Sequence, residues 1–145
     1  MLEPTAVEIF RAAVEAIVPA VDGRPGALEI HADEHVSAMI DQYVPGFADL
    51  IAVLLDSYAS DVRTGAGFVE LSPAERGSVF RLMVAEEAQD VRDMVDALFV
   101  FTYGAVYSEW SAHDKATRTL GRPPSWDDIG FPGPSLGYAD YREGA

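Results

Sequence analysis

Apolar positions recur every three or four residues through the first three quarters of the chain, a spacing that predicts helices. Val7, Phe10, Ala13, Val14, Ile17 and Val18 fall on one face of a first helix, with Pro4 in a tolerated first-turn position and Pro19 as its end. The run Val21-Asp22-Gly23-Arg24-Pro25-Gly26 consists of turn formers and predicts a loop. A second series, from Val36 through Met39, Ile40, Tyr43, Phe47, Leu50, Ile51, Leu54 and Leu55 to Tyr58, keeps helical spacing across Pro45-Gly46. That dipeptide divides it into two helices or bends it sharply. Leu71-Ser72-Pro73-Ala74-Glu75 then offers a capping serine, a proline at the first helical position and the glutamate of a capping box.

Val79, Phe80, Leu82 and Met83 follow that cap, and a longer helix carries Val91, Met94, Val95, Leu98, Phe99, Thr102, Tyr103 and Val106. Apolar residues surround this helix between Ala97 and Phe101, the pattern of a central helix packed by neighbours on all sides. No segment alternates with period two, so no sheet is expected, and no internal repeat is visible.

From His113 the texture changes. Gly121, Pro123, Pro124, Gly130, Pro132, Gly133, Pro134 and Gly137 exclude a long helix, yet Trp126, Ile129, Phe131, Leu136, Tyr138 and Tyr141 give an aromatic density that disordered linkers lack. The pattern therefore predicts an all-α bundle of about five helices over residues 1–112. Residues 113–145 are expected to form an irregular extension that lies on this bundle or on a partner.

Composition narrows the function classes. With 145 residues, 49% of them hydrophobic, the chain is large enough for one domain with a core. Asp and Glu number 24 against 10 Lys and Arg, a formal net charge of −14 that repels phosphate backbones and anionic lipid. Nucleic-acid binding and membrane-surface binding are thereby disfavoured. The absence of cysteine removes disulfides, thiolate catalysis and thiolate metal sites. Met1-Leu2-Glu3-Pro4 shows no export signal, and the apolar stretches fall well short of the roughly 20 residues a membrane span requires. The expectation is a cytoplasmic protein without membrane insertion, periplasmic only if carried out by an exported partner.

The sharpest chemical motif is His31-Ala32-Asp33-Glu34-His35, an H-x-x-E-H pattern in which two histidines on one helical face bind zinc and the glutamate activates water. A third ligand would come from Glu86 or Glu87. The competing reading is that Glu29 to Glu34 is the acidic, solvated first turn of a helix, where carboxylates favour the positive dipole end and the histidines are incidental. Glu86, Glu87, Asp90, Asp93 and Asp96 lie close in sequence, with Glu86, Asp90 and Asp93 expected on one face and Arg92 pairing with them across a turn. Without Glu-x-x-His motifs they read as a solvated face rather than a di-metal site. Ser72, Ser78, Ser108 and Ser111 lack nucleophile-elbow glycines, and no glycine-rich phosphate loop is present, so nucleotide or flavin binding by this chain alone is unsupported. Tyr103, Tyr107 and Trp110 form a helical aromatic stripe, either core or partner anchor.

Four segments in order bring a family into view: Ala16-Ile17-Val18-Pro19-Ala20, the loop Asp22-Gly23-Arg24-Pro25-Gly26-Ala27, Leu71-Ser72-Pro73-Ala74-Glu75-Arg76, and Trp126-Asp127-Asp128-Ile129-Gly130-Phe131-Pro132-Gly133-Pro134. Together they resemble the gluconate 2-dehydrogenase subunit 3 family over nearly the whole chain. The resemblance implies a small, non-catalytic helical subunit that stabilises an FAD-bearing large subunit of the glucose–methanol–choline type, in some complexes with a multi-haem cytochrome. The FAD belongs to the partner, which oxidises a sugar, a polyol or a related alcohol. Tyr107, Trp110, Trp126, Phe131, Tyr138 and Tyr141 are then the expected interface. The chain departs from many members of that family in showing no twin-arginine signal. Two other classes stay open: a small metal-dependent hydrolase using His31, Glu34 and His35, and a stand-alone ligand-binding or enzymatic bundle with a pocket lined by Phe99, Tyr103 and Tyr107.

Overall fold

The computed structural model describes residues 5–133, and these form an all-α bundle. Its helices are α1 (Ala6–Ile17), α2 (Ala32–Tyr43), α3 (Phe47–Val62), α4 (Pro73–Val84), α5 (Gln89–Tyr107) and a short α6 (Pro124–Asp128). Two helix starts are reciprocal capping boxes. At α4 the Ser72 hydroxyl accepts the Glu75 amide at 3.3 Å while the Glu75 carboxylate accepts the Ser72 amide at 2.7 Å, as the sequence predicts. Those bonds, with Arg63 nearby, hold the Glu75 carboxyl below its ordinary value. At α1 the same arrangement joins Thr5 and Glu8, with the start of the helix set by Thr5.

Pro45-Gly46 separates α2 from α3, whose axes meet at 116°. Gly46 takes a φ of +80°, which L-residues with a side chain rarely adopt. The Asp41 carboxylate accepts the Ala48 amide at 3.0 Å, so α2 caps the helix that follows it. After α1, Val21 and Arg24 exchange backbone hydrogen bonds around the predicted loop. Gly26 is held so close to the backbone of Ala20 that a Cβ there would stand 2.5 Å from the Ala20 nitrogen. The loop thus packs tightly rather than projecting.

The core is a layer of fully buried side chains from every long helix, among them Val14, Ile40, Ile51, Leu55, Met83 and Leu98. Phe68 joins them from a 3-10 turn, Phe68–Glu70, between α3 and α4. Its amide donates to the Asp56 carboxylate at 2.8 Å. Arg76 of α4 donates to the carbonyls of Phe68 and Val69 and lies over the Phe68 ring, so a mostly buried guanidinium pins the turn to the bundle.

Three expectations need correction. Helix α5 packs against α2, α4 and α1 but is not enclosed: Val100, Tyr103 and Tyr107 are 66%, 44% and 41% exposed. A small antiparallel hairpin exists, His113–Asp114 with Thr119–Leu120, too short for its alternation to register in sequence. Its turn is closed by Asp114, whose carboxylate accepts the amides of Ala116 and Thr117, and these contacts with the Thr117 hydroxyl keep its carboxyl below the usual range. Finally, Glu86 precedes α5, so it does not share a helix face with Asp90 and Asp93.

Candidate functional site

The H-x-x-E-H segment does not form one helical face. Helix α2 begins at Ala32, and His31 stands outside it as the N-terminal cap in a left-handed conformation with φ +56°. Its ring is exposed and reaches no closer than 4.0 Å to Glu34. The Glu34 carboxylate instead pairs with Lys115 of the hairpin at 3.2 Å. His35 points elsewhere, stacking on Trp110 at 4.4 Å between centroids. Burial holds the His35 imidazole below its ordinary pKa and favours the neutral ring at pH 7.

Trp110 is the centre of this cluster. It belongs to a 3-10 turn, Glu109–Ala112, that the Ser108 hydroxyl caps by accepting the Trp110 amide. His113 stacks near it at 5.8 Å, and the Lys115 ammonium lies 5.6 Å from the ring centroid. The His113 Nδ1 is buried without a hydrogen-bond partner among the described residues. Beside the cluster opens a broad cleft of about 790 Å³ with His31, Glu34, His113 and Lys115 on its walls. Geometrically this is a clasp that fixes the start of the extension to α2: its histidines diverge and its glutamate is neutralised by a lysine. The glutamates considered as third zinc ligands sit between α4 and α5, with Glu86 beside the Tyr58 phenol, whose pKa is raised by burial and by that carboxylate. Among the described residues no group of three or more His, Asp or Glu side chains is placed to hold a metal ion.

A second clasp joins the extension to the end of α5. The Trp126 indole N–H donates to the Tyr107 carbonyl at 2.7 Å, and the Ser125 hydroxyl donates to the Val106 carbonyl at 2.6 Å. Phe131 meets the indole edge-on at 5.0 Å. Arg122 lies over the indole ring, donates to the carbonyls of Phe131 and Pro132, and pairs with Asp127. Trp126, expected as a partner anchor, is buried against its own bundle at 8% exposure. Tyr138 and Tyr141, also expected at the interface, lie outside the described residues.

One face open to a partner is that of α5, among exposed apolar side chains that also include Val7, Tyr43 and Val53 on other helices. Phe68, Phe80, Phe99, Tyr103 and Tyr107 succeed one another at centroid distances between 5.3 and 6.4 Å. This ladder runs from the sealed core to exposed tyrosines. Near its outer end, Tyr107 shares a cleft with Val21 and Ile129, both also exposed. Phe99 borders a separate groove with Ile17, Phe80 and Val84. Phe99 and Tyr107 thus border different concavities, and Tyr103 stands between them on the surface, rather than the three lining a single pocket.

The remaining candidates have local tasks. Arg92, expected to pair with neighbouring carboxylates, donates instead to the carbonyls of Glu86 and Glu87 and to the Gln89 side chain. Ser78 and Ser111 donate to carbonyls within their own helical turns. Lys115 pairs with Glu34 across 81 positions, a contact without a local sequence signal, whereas His113 and Arg122 meet partners three to ten residues away in irregular segments where helical or strand spacing gives no guide. Among the described residues no single helix is long and apolar enough to cross a membrane. Comparison with protein-family models, curated proteins and solved structures yields no match for this chain.

Proposed function

We propose that this chain is the non-catalytic small subunit of a flavin-dependent dehydrogenase complex, stabilising a larger, FAD-bearing subunit that oxidises a sugar, polyol or related alcohol. The observation that carries the reading is the outward face of α5, where Val100, Tyr103 and Tyr107 stand exposed together as the outer end of an aromatic ladder that starts in the core. Large apolar side chains exposed as a group mark association surfaces, and tyrosines are among the residues that dominate binding energy. The four sequence segments that resemble the gluconate 2-dehydrogenase subunit 3 family supply the class of partner. The diverging His31 and His35, with Glu34 tied to Lys115, favour this over the metal-hydrolase alternative.

The test is to express the tagged chain in its source cell and record the mass and visible spectrum of what co-elutes. The expected result is a larger chain in fixed stoichiometry with the two-band absorption of a flavin, with a cytochrome spectrum in addition if the complex carries its own electron acceptor. A colourless monomer that hydrolyses a test peptide only with zinc would overturn the proposal.

A further inference from the structure

The same face of α5 also specifies the chemistry of what docks on it. Asp93, Asp96, Val100, Tyr103, Gly104 and Tyr107 recur at helical spacing and are all exposed, so they make one stripe. At 1.5 Å per residue it runs about 21 Å from Asp93 to Tyr107. One end is carboxylate and the rest apolar or aromatic. Arg92 is the sole basic residue of α5, and its guanidinium is engaged by the Glu86 and Glu87 carbonyls and the Gln89 side chain. Asp93 accepts from the Gln89 amide, and neither Asp93 nor Asp96 has an ion-pair partner among the described residues. Among the described residues the negative end of the stripe is therefore uncompensated.

We propose that this stripe docks a protein strip of complementary order, with apolar side chains over Val100, Tyr103 and Tyr107 and Lys or Arg over Asp93 and Asp96. The inference rests on the partner-subunit reading and gives that partner's contact face its chemistry. Charge excludes a second copy as the preferred occupant. Two chains of net charge −14 repel. Antiparallel pairing about Val100 would set Asp93 of one copy beside Tyr107 of the other, and parallel pairing would set carboxylate on carboxylate. A basic strip instead gains by steered encounter, and its arginines or lysines fix the direction in which the apolar halves meet.

The test needs no flavoprotein, so its failure is distinguishable from failure of the partner reading. Two synthetic helical peptides are titrated into the ¹⁵N-labelled full chain at 0.15 M salt, one with lysines in its first half and leucines on one face of its second, the other with glutamate replacing each lysine. The lysine peptide is expected to shift amides of residues 93–107. Its Kd should rise at least tenfold in Asp93→Asn/Asp96→Asn and again in Tyr103→Ser/Tyr107→Ser, with circular dichroism unchanged in both. Shifts spread over the acidic surface at large, equal response to both peptides, or indifference to either pair of substitutions overturns the proposal. A doubling of mass with concentration in the free chain, accompanied by shifts in the stripe, would assign the face to a second copy and overturn it as well.

Discussion

Replacing Phe68 with Ala lowers the unfolding free energy by about 3–5 kcal/mol, the usual cost of deleting a fully buried phenyl ring. The ring is wholly enclosed and serves as the meeting point of three elements: Asp56 of α3 accepts its amide, Arg76 of α4 covers its face, and Phe80 packs against it at 5.9 Å. Removing it leaves a cavity and also frees the turn that Arg76 holds. For a domain whose total stability is of the order of 5–15 kcal/mol, the variant sits near the edge of folding. Urea denaturation followed by far-ultraviolet circular dichroism measures the effect. A loss under about 1 kcal/mol would mean that the site collapses without penalty and that Phe68 does not organise the core.

The second large effect belongs to Trp126→Ala. The indole joins the end of α5 to the loop that follows it, in contact with Phe131, Arg122 and the Tyr107 carbonyl. Trp→Ala at a buried position costs about 3–5 kcal/mol when the whole domain bears it. Here the extension can detach alone, so the loss is read locally. Hydrogen exchange is expected to show the amides of Trp126 and Phe131, which donate to Pro123 and Trp126 carbonyls, exchanging roughly 100-fold faster. Amides of α3 should be much less affected. Trp126→Phe, which keeps an aromatic ring and loses the hydrogen bond, should fall between. Unchanged protection in Trp126→Ala would place the clasp's strength in Ser125 and Arg122 instead.

How much of this was legible in the sequence depends on the range of each interaction. Ser72 and Glu75 are three residues apart, and their capping box was readable because both partners lie within one helical turn. Pro45-Gly46 was equally readable, being a covalent constraint on the local backbone. Spacing predicted α5 correctly but not its open face, since periodicity gives the arc of apolar residues and not the number of neighbours that cover it. The strands of the hairpin have two residues each, below the length at which alternation carries information.

The candidate site was less legible than the fold. His35 meets Trp110 across 75 positions of sequence, a contact made by the packing of α2 against the end of α5. A zinc reading of His31 needs it inside the helix, but a five-residue motif says nothing about where the helix begins: the backbone turns left-handed at His31, and Asp33 and Glu34 form the acidic first turn of α2, as the competing reading expects. Trp126 was recognised as structurally specific, but its hydrogen-bond acceptor lies 19 residues earlier, so its burial within the chain could not be separated from burial on a partner.

The central claim is that the exposed tyrosines of α5 hold a flavin-bearing subunit. Its most direct test compares the wild-type chain with Tyr103→Ser/Tyr107→Ser in the same affinity purification, measuring flavin absorbance per mole of tagged chain. The account predicts a flavoprotein with the wild type and a loss of at least tenfold in the variant, equivalent to about 1.4 kcal/mol or more of binding, with helicity unchanged. Equal flavin in both preparations, or none with the wild type, would contradict it.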